Sequence, residues 1–131
     1  MKLKYFILCS LYLLSSCSKS KDENKDPIVG KWHLVSQLVD MGDGSGTFQD
    51  VSSNRTIEID ENGLVTSNSN LCDLSIETEG ESVGQYSFQD KVMVIEGCSF
   101  PYNLPVTIDG EFIDLHYPCF EACICKYKKE D

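Results

Sequence analysis

Short apolar-polar alternations run through most of residues 27–131. Trp32, Leu34 and Leu38 alternate with Lys31, His33 and Gln37. A period of two puts successive side chains on opposite faces of a strand. Ile57 and Ile59 alternate with Thr56, Glu58 and Asp60. Glu61-Asn62-Gly63 then supplies a hairpin turn, and Leu64 to Asn68 returns. Tyr86 and Phe88 share a face, and Gln89-Asp90-Lys91 turns into Val92-Met93-Val94-Ile95. Val106 and Ile108 lead to Asp109-Gly110, a second hairpin signal, followed by Phe112 to Tyr117. No segment carries a sustained helical repeat. The pattern predicts eight strands, at 30–39, 55–60, 64–69, 83–88, 91–96, 104–109, 111–117 and 123–129. Short consecutive strands with tight turns predict an all-β antiparallel up-and-down meander. Eight such strands close into a barrel, which removes the exposed edges; a β-sandwich is the alternative. Tyr86, Phe88, Val94, Val106, Ile108, Phe112 and His116 are the expected interior positions. The alternation leaves open whether they line a cavity or fill it.

Residues 1–16 break this pattern. Lys2 and Lys4 precede an apolar run from Tyr5 to Leu14, which ends in Ser15-Ser16-Cys17. A basic start, a short apolar run and small residues before a break make a secretory signal peptide; the run is too short to span a bilayer. Leu14-Ser15-Ser16-Cys17 resembles the lipobox of bacterial lipoproteins. That resemblance implies cleavage before Cys17 and acylation (of the palmitate type) at Cys17. It places the protein in the cell envelope, anchored to the outer membrane at its periplasmic or cell-surface face. Residues 17–26 then form a polar, lipidated tether, since Ser18 to Lys25 contains no apolar residue. Lys21-Asp22-Glu23 resembles a surface-sorting signal of some Gram-negative lineages and reads equally well as a plain spacer.

Loss of residues 1–16 removes two lysines, so the formal charge moves from −10 to −12. So acidic a chain repels nucleic acid and anionic lipid. Membrane attachment therefore falls to the acyl group on Cys17. The remaining cysteines, Cys72, Cys98, Cys119, Cys123 and Cys125, suit an oxidising compartment. Five allow two bridges and one free thiol. The expected pairs are Cys119–Cys123, across the link between the last two strands, and Cys72–Cys98, leaving Cys125 free. Pairing of Cys119 or Cys123 with Cys72 is the rival arrangement. Cys119-x-x-x-Cys123-x-Cys125 is not a zinc spacing, and Asp40, Asp43, Ser45 and Asp50 do not match a calcium loop, so no metal or cofactor is expected. The glycine-rich stretch 40–50 is expected to be a flexible lid or a plain connection.

Gly30-Lys31-Trp32 opens the first strand of the meander, ahead of that long first loop. The combination resembles the lipocalin family. With the N-terminal signal, Asp43-Gly44-Ser45-Gly46-Thr47-Phe48 and the stretch Tyr117 to Cys123, it looks like the lipocalin-like domain of bacterial lipoproteins, over residues 27–131. The resemblance implies that Trp32 closes the barrel base under a basic side chain of the last strand, Lys126 or Lys128. It also implies a small apolar or amphipathic ligand, for which Tyr86, Phe88, Phe112 and His116 are candidate contacts. The sequence contains no Gly-x-Ser-x-Gly, phosphate loop or His-Glu-x-x-His, so no enzymatic activity is expected. The competing function is a surface adaptor with a filled barrel, docking a protein partner. A hollow interior with a mouth near residues 40–50 separates the first reading from the second.

Overall fold

The computed structural model describes residues 25–99 and 102–131. The signal segment 1–16, the lipidation candidate Cys17 and the tether up to residue 24 lie outside the described residues. The described chain is all-β. Its strands are β1 (Gly30–Val39), β2 (Gln49–Asp50), β3 (Thr56–Ile59), β4 (Leu64–Ser67), β5 (Ser82–Ser87), β6 (Val92–Ile95), β7 (Tyr102–Asp109), β8 (Phe112–Tyr117) and β9 (Cys123–Lys129). Every pairing is antiparallel, and neighbours along the sheet follow chain order from β3 to β9. β1 pairs with β9 from Trp32↔Lys129 to Val39↔Cys123 and closes the sheet into a barrel. On its other side β1 holds β3 along its lower half and the two-residue β2 along its upper half. β2 and β3 together thus act as one interrupted strand, and the barrel has eight staves. The sandwich alternative is set aside by this closure.

The turns form where the sequence placed them. Asp60 accepts from the backbone N–H of Asn62 and Leu64 at 2.8 and 2.9 Å. Gly63 takes φ +83°, and a Cβ there would lie 2.5 Å from the carbonyl of Tyr86, so this hairpin requires glycine. Because the strands alternate in direction, the connections sort into two ends. The tight turns 60–63, 88–91 and 110–111 lie at the base, where the chain enters β1. The longer connections 40–48, 68–81 and 118–122 and the described stretch 96–99 lie at the upper end.

Trp32, Leu34, Ile57, Met93, Leu104 and Leu115 point inward and are almost wholly buried. Each such burial contributes roughly 1.5–3 kcal/mol. At the base Trp32 Nε1 donates to the Ile28 carbonyl at 2.8 Å, and Ile28 itself is buried beneath the barrel. The cation over the Trp32 ring is Lys129, with Nζ 5.0 Å from the ring centre and 2.7 Å from the Pro27 carbonyl. Lys126 and Lys128, the expected partners, alternate outward. The inward row of β9 is Cys123, Cys125 and Tyr127, and Lys129 continues it under the ring.

Three expected interior positions are corrected. Val94, Phe112 and His116 lie on the outer face. On β8 the inward row is Ile113, Leu115 and Tyr117, so Asp114 shares the outer row with Phe112 and His116. An inward row containing Asp114 would strand a carboxylate in the core. Outside, it pairs with Lys126 at 2.8 Å. On β6 the inward residues are Met93 and Ile95.

Candidate functional site

The upper end decides what the barrel can do, since a ligand-carrying barrel needs its mouth there. The connection 68–81 folds over it. Leu71 is fully buried, and Leu74 and Ile76 pack against the core. Four consecutive carbonyls of this segment are taken by barrel side chains. Arg55 Nη1 and Nη2 donate to the Asp73 carbonyl at 3.3 Å, and Nη1 also donates to Ser75. Gln37 Nε2 donates to Leu74 at 2.8 Å, and Ser53 Oγ donates to Ile76. The Leu71 N–H donates in turn to Ser82 Oγ at 2.8 Å. A disulfide from Cys72 to Cys98 ties the segment to the stretch 96–99.

Arg55 is the residue on which this closure turns. It lies just before β3, in phase with the inward Ile57 and Ile59, and it is completely buried. Among the described residues no carboxylate lies within ion-pair distance of it. Its charge is met by the carbonyl dipoles above and by the Tyr117 hydroxyl, which accepts from Nη2 at 3.0 Å. Arg55 Nε and the buried Tyr127 hydroxyl have no hydrogen-bond partner among the described residues. Burial pushes the Tyr127 and Tyr117 hydroxyls well above the ordinary phenol range. Burial likewise raises the Cys125 thiol, against the opposing effects of the Gln37 bond and the Arg55 charge. Gln37 Nε2 lies 3.2 Å from Cys125 Sγ. Cys125 is a free, buried, protonated thiol without a neighbouring base, which is an inert environment rather than a nucleophile's.

The glycine-rich stretch is not a lid over the mouth. Asp40 organises it: Oδ1 accepts from the N–H groups of Gly42, Asp43 and Gly44 at 2.8, 3.2 and 3.2 Å, and Oδ2 from Gly46 at 2.9 Å. The Gly46 and Gly42 bonds lead in holding this carboxyl below the usual range. A Cβ at Gly46 would stand 2.8 Å from Asp40 Cβ, so only glycine permits the wrap. The segment then runs down the outside of the barrel, where Phe48 lies 4.7 Å from Lys126 Nζ. Beside it, the 118–122 connection is closed by the Cys119–Cys123 disulfide. The two loops are joined by a bond from Asp40 N–H to the Ala122 carbonyl at 2.8 Å.

The four residues named as ligand contacts do not converge. Tyr86 is buried low in the barrel, edge-on to Phe88 at 5.3 Å between ring centres, with Phe88 at the base turn. Phe112 lies outside, 5.6 Å from Lys126 Nζ. His116 lies outside too, 3.2 Å from Thr107 Oγ1. Both expected disulfides are present, and Cys125 is the free thiol among the described residues. Arg55 and the closing role of 68–81 were missed. The available signal was parity, since residues 55, 57 and 59 share a face. Three clefts among the described residues are open to solvent, and polar side chains make up much of their lining. One lies at Ser52–Asn54 against Ile76–Thr78, another between Thr56, Thr66 and Val83, and a third around His33, Glu111 and Lys128. No fully buried core residue lines them. No cluster of three His, Cys, Asp or Glu side chains suited to a metal ion occurs among the described residues. Comparison with protein-family models, curated proteins and solved structures found no match.

Proposed function

We propose that this chain is a lipid-anchored envelope protein whose barrel is a filled scaffold, acting without catalysis through its outer surface on a protein partner. The observation that carries the reading is the closed upper end. A carrier of apolar molecules needs an open mouth above a vacant core. Here four carbonyls of residues 73–76 are held by Arg55, Gln37 and Ser53, Cys72–Cys98 ties the same segment down, and Leu34, Met93 and Leu115 occupy the interior. These features favour the adaptor over the lipocalin-type carrier, although the barrel topology suits both. The anchor rests on Leu14-Ser15-Ser16-Cys17 and the polar tether after it.

Native mass spectrometry of the purified barrel, with titration of an environment-sensitive fatty-acid probe, tests this reading. The expected result is the bare protein mass and no saturable probe signal. A copurifying small molecule, or stoichiometric probe binding competed by an unlabelled fatty acid, would overturn it in favour of the carrier.

A further inference from the structure

We infer that the rigid tip formed by residues 39–46 and 118–122 is the docking surface of this adaptor, and that its partner is a protein presenting an apolar pocket within a basic surface. The inference rests on the filled-scaffold reading above and names its site. Two observations carry it together.

The first is apolar exposure on a fixed support. Phe120 is fully exposed at 102%, Met41 is 90% exposed and Val39 is 47% exposed. Isolated exposed apolar residues are ordinary, but here Phe120 and Met41 occur on two adjoining loops with Val39 beside them at the end of β1. Neither loop is free to fold its apolar side chains away. Phe120 sits inside the Cys119–Cys123 bridge, Met41 follows the Asp40 carboxylate that binds four N–H groups, and Asp40 N–H is bonded to the Ala122 carbonyl. A rigid aromatic loses little conformational freedom on insertion into a pocket, which is how interface anchors gain most of their affinity.

The second is charge. The upper connections 40–48, 68–81 and 118–122 and the stretch 96–99 carry two, four, one and one acidic residues respectively, and no lysine, arginine or histidine. The lysine of β9 nearest this end, Lys126, is held by Asp114 at 2.8 Å. Arg55 lies buried beneath this end, so the exposed charge of the connections is acidic, which repels anionic lipid and steers a basic protein surface toward it. The described chain enters the barrel at the opposite end, beside Ile28 and Gly30, so the tip and the start of β1 lie at opposite ends of the barrel.

The test places a photo-crosslinking amino acid at position 120, and separately at Asp109 in the base hairpin, of the full-length anchored protein in its own cells. The expected result is a discrete protein adduct from position 120 alone, with the crosslinked peptide in a lysine- or arginine-rich surface. With that partner purified, Phe120→Ser should weaken binding about ten-fold or more, Met41→Ser less, and high salt should weaken binding to the unmodified chain. Adducts only with lipid or with a second copy, equal adducts from both positions, no adduct, or affinity unchanged by Phe120→Ser would overturn the inference. The scaffold reading fails separately, through a small molecule found inside the barrel, so the two failures are distinguishable.

Discussion

Trp32 and Arg55 show how a buried residue is held by what it bonds as well as by what it displaces. Trp32 fills the base, and its one polar atom is satisfied by Ile28. Trp32→Ala should cost roughly 3–5 kcal/mol, read as a lowered denaturation midpoint; an unchanged midpoint would mean the ring does not close the base. Arg55 is a harder case, because a guanidinium loses much hydration on burial. Its donors compensate by binding the carbonyls of Asp73 and Ser75 and the Tyr117 hydroxyl. Arg55→Met would leave those acceptors without partners, at about 1–3 kcal/mol for each group that water cannot reach. The expected outcome is loss of amide-exchange protection across residues 70–79, with Cys72–Cys98 still oxidised. Protection unchanged there would show that the disulfide alone holds the segment. Arg55 was readable by parity with Ile57 and Ile59, but side-chain type argues against burial unless acceptors are known to wait inside. The carbonyl acceptors come from a segment 18 to 20 residues away in sequence and the Tyr117 hydroxyl from 62 residues away, which local pattern does not report.

At the scale of elements, alternation located the staves well, because one buried face repeats every second residue. β1, β8 and β9 fall at or within a residue of their expected limits, and both glycine hairpins formed. Facing was less legible. On β8 both rows contain apolar residues, and only Asp114 marks the outer one. The loop 40–50 misled for a different reason. Glycine content suggests freedom, whereas four N–H groups converge on the Asp40 carboxylate. That arrangement has a pH signature. The folded-state carboxyl is lowered relative to the unfolded chain. Its contribution to loop order is therefore fully present above the ordinary Asp range and is lost as pH falls through the lowered folded value. Backbone amide shifts of Gly42, Gly44 and Gly46 should accordingly stay constant from neutral pH through the ordinary Asp range and move together only below it. Asp40→Asn should abolish that shared titration. Independent titration of the three amides, or a midpoint at the ordinary Asp value, would sink the account.

For the whole molecule, an eight-stave barrel of this size has a modest core, and two disulfides brace its upper connections. Cys72–Cys98 spans 26 residues of sequence, and such a closure can stabilise by about 3 kcal/mol. Bridges of this kind persist in oxidising compartments, which is the setting proposed from residues 1–17. Cys125 gives a check on this state of the chain. Its thiol is buried and raised by burial, so alkylation of the native protein should modify no cysteine of the barrel, and alkylation after unfolding without reductant only Cys125. Modification of any other barrel cysteine would mean the bridges do not form as drawn. The anchor proposed at Cys17 sets the last condition on function. The chain carries a formal charge of −10, and so acidic a surface is repelled by an anionic membrane. Several acyl chains at Cys17 would hold it firmly, since each buried methylene adds about 0.8 kcal/mol. Cys17→Ala should therefore move the protein from the membrane pellet to the soluble fraction, or leave it uncleaved with residues 1–16 attached. Mass spectrometry of the mature protein should find an acylated Cys17 as its first residue. A mature N-terminus elsewhere without lipid would leave the barrel free in solution, with no fixed direction for its acidic, aromatic tip.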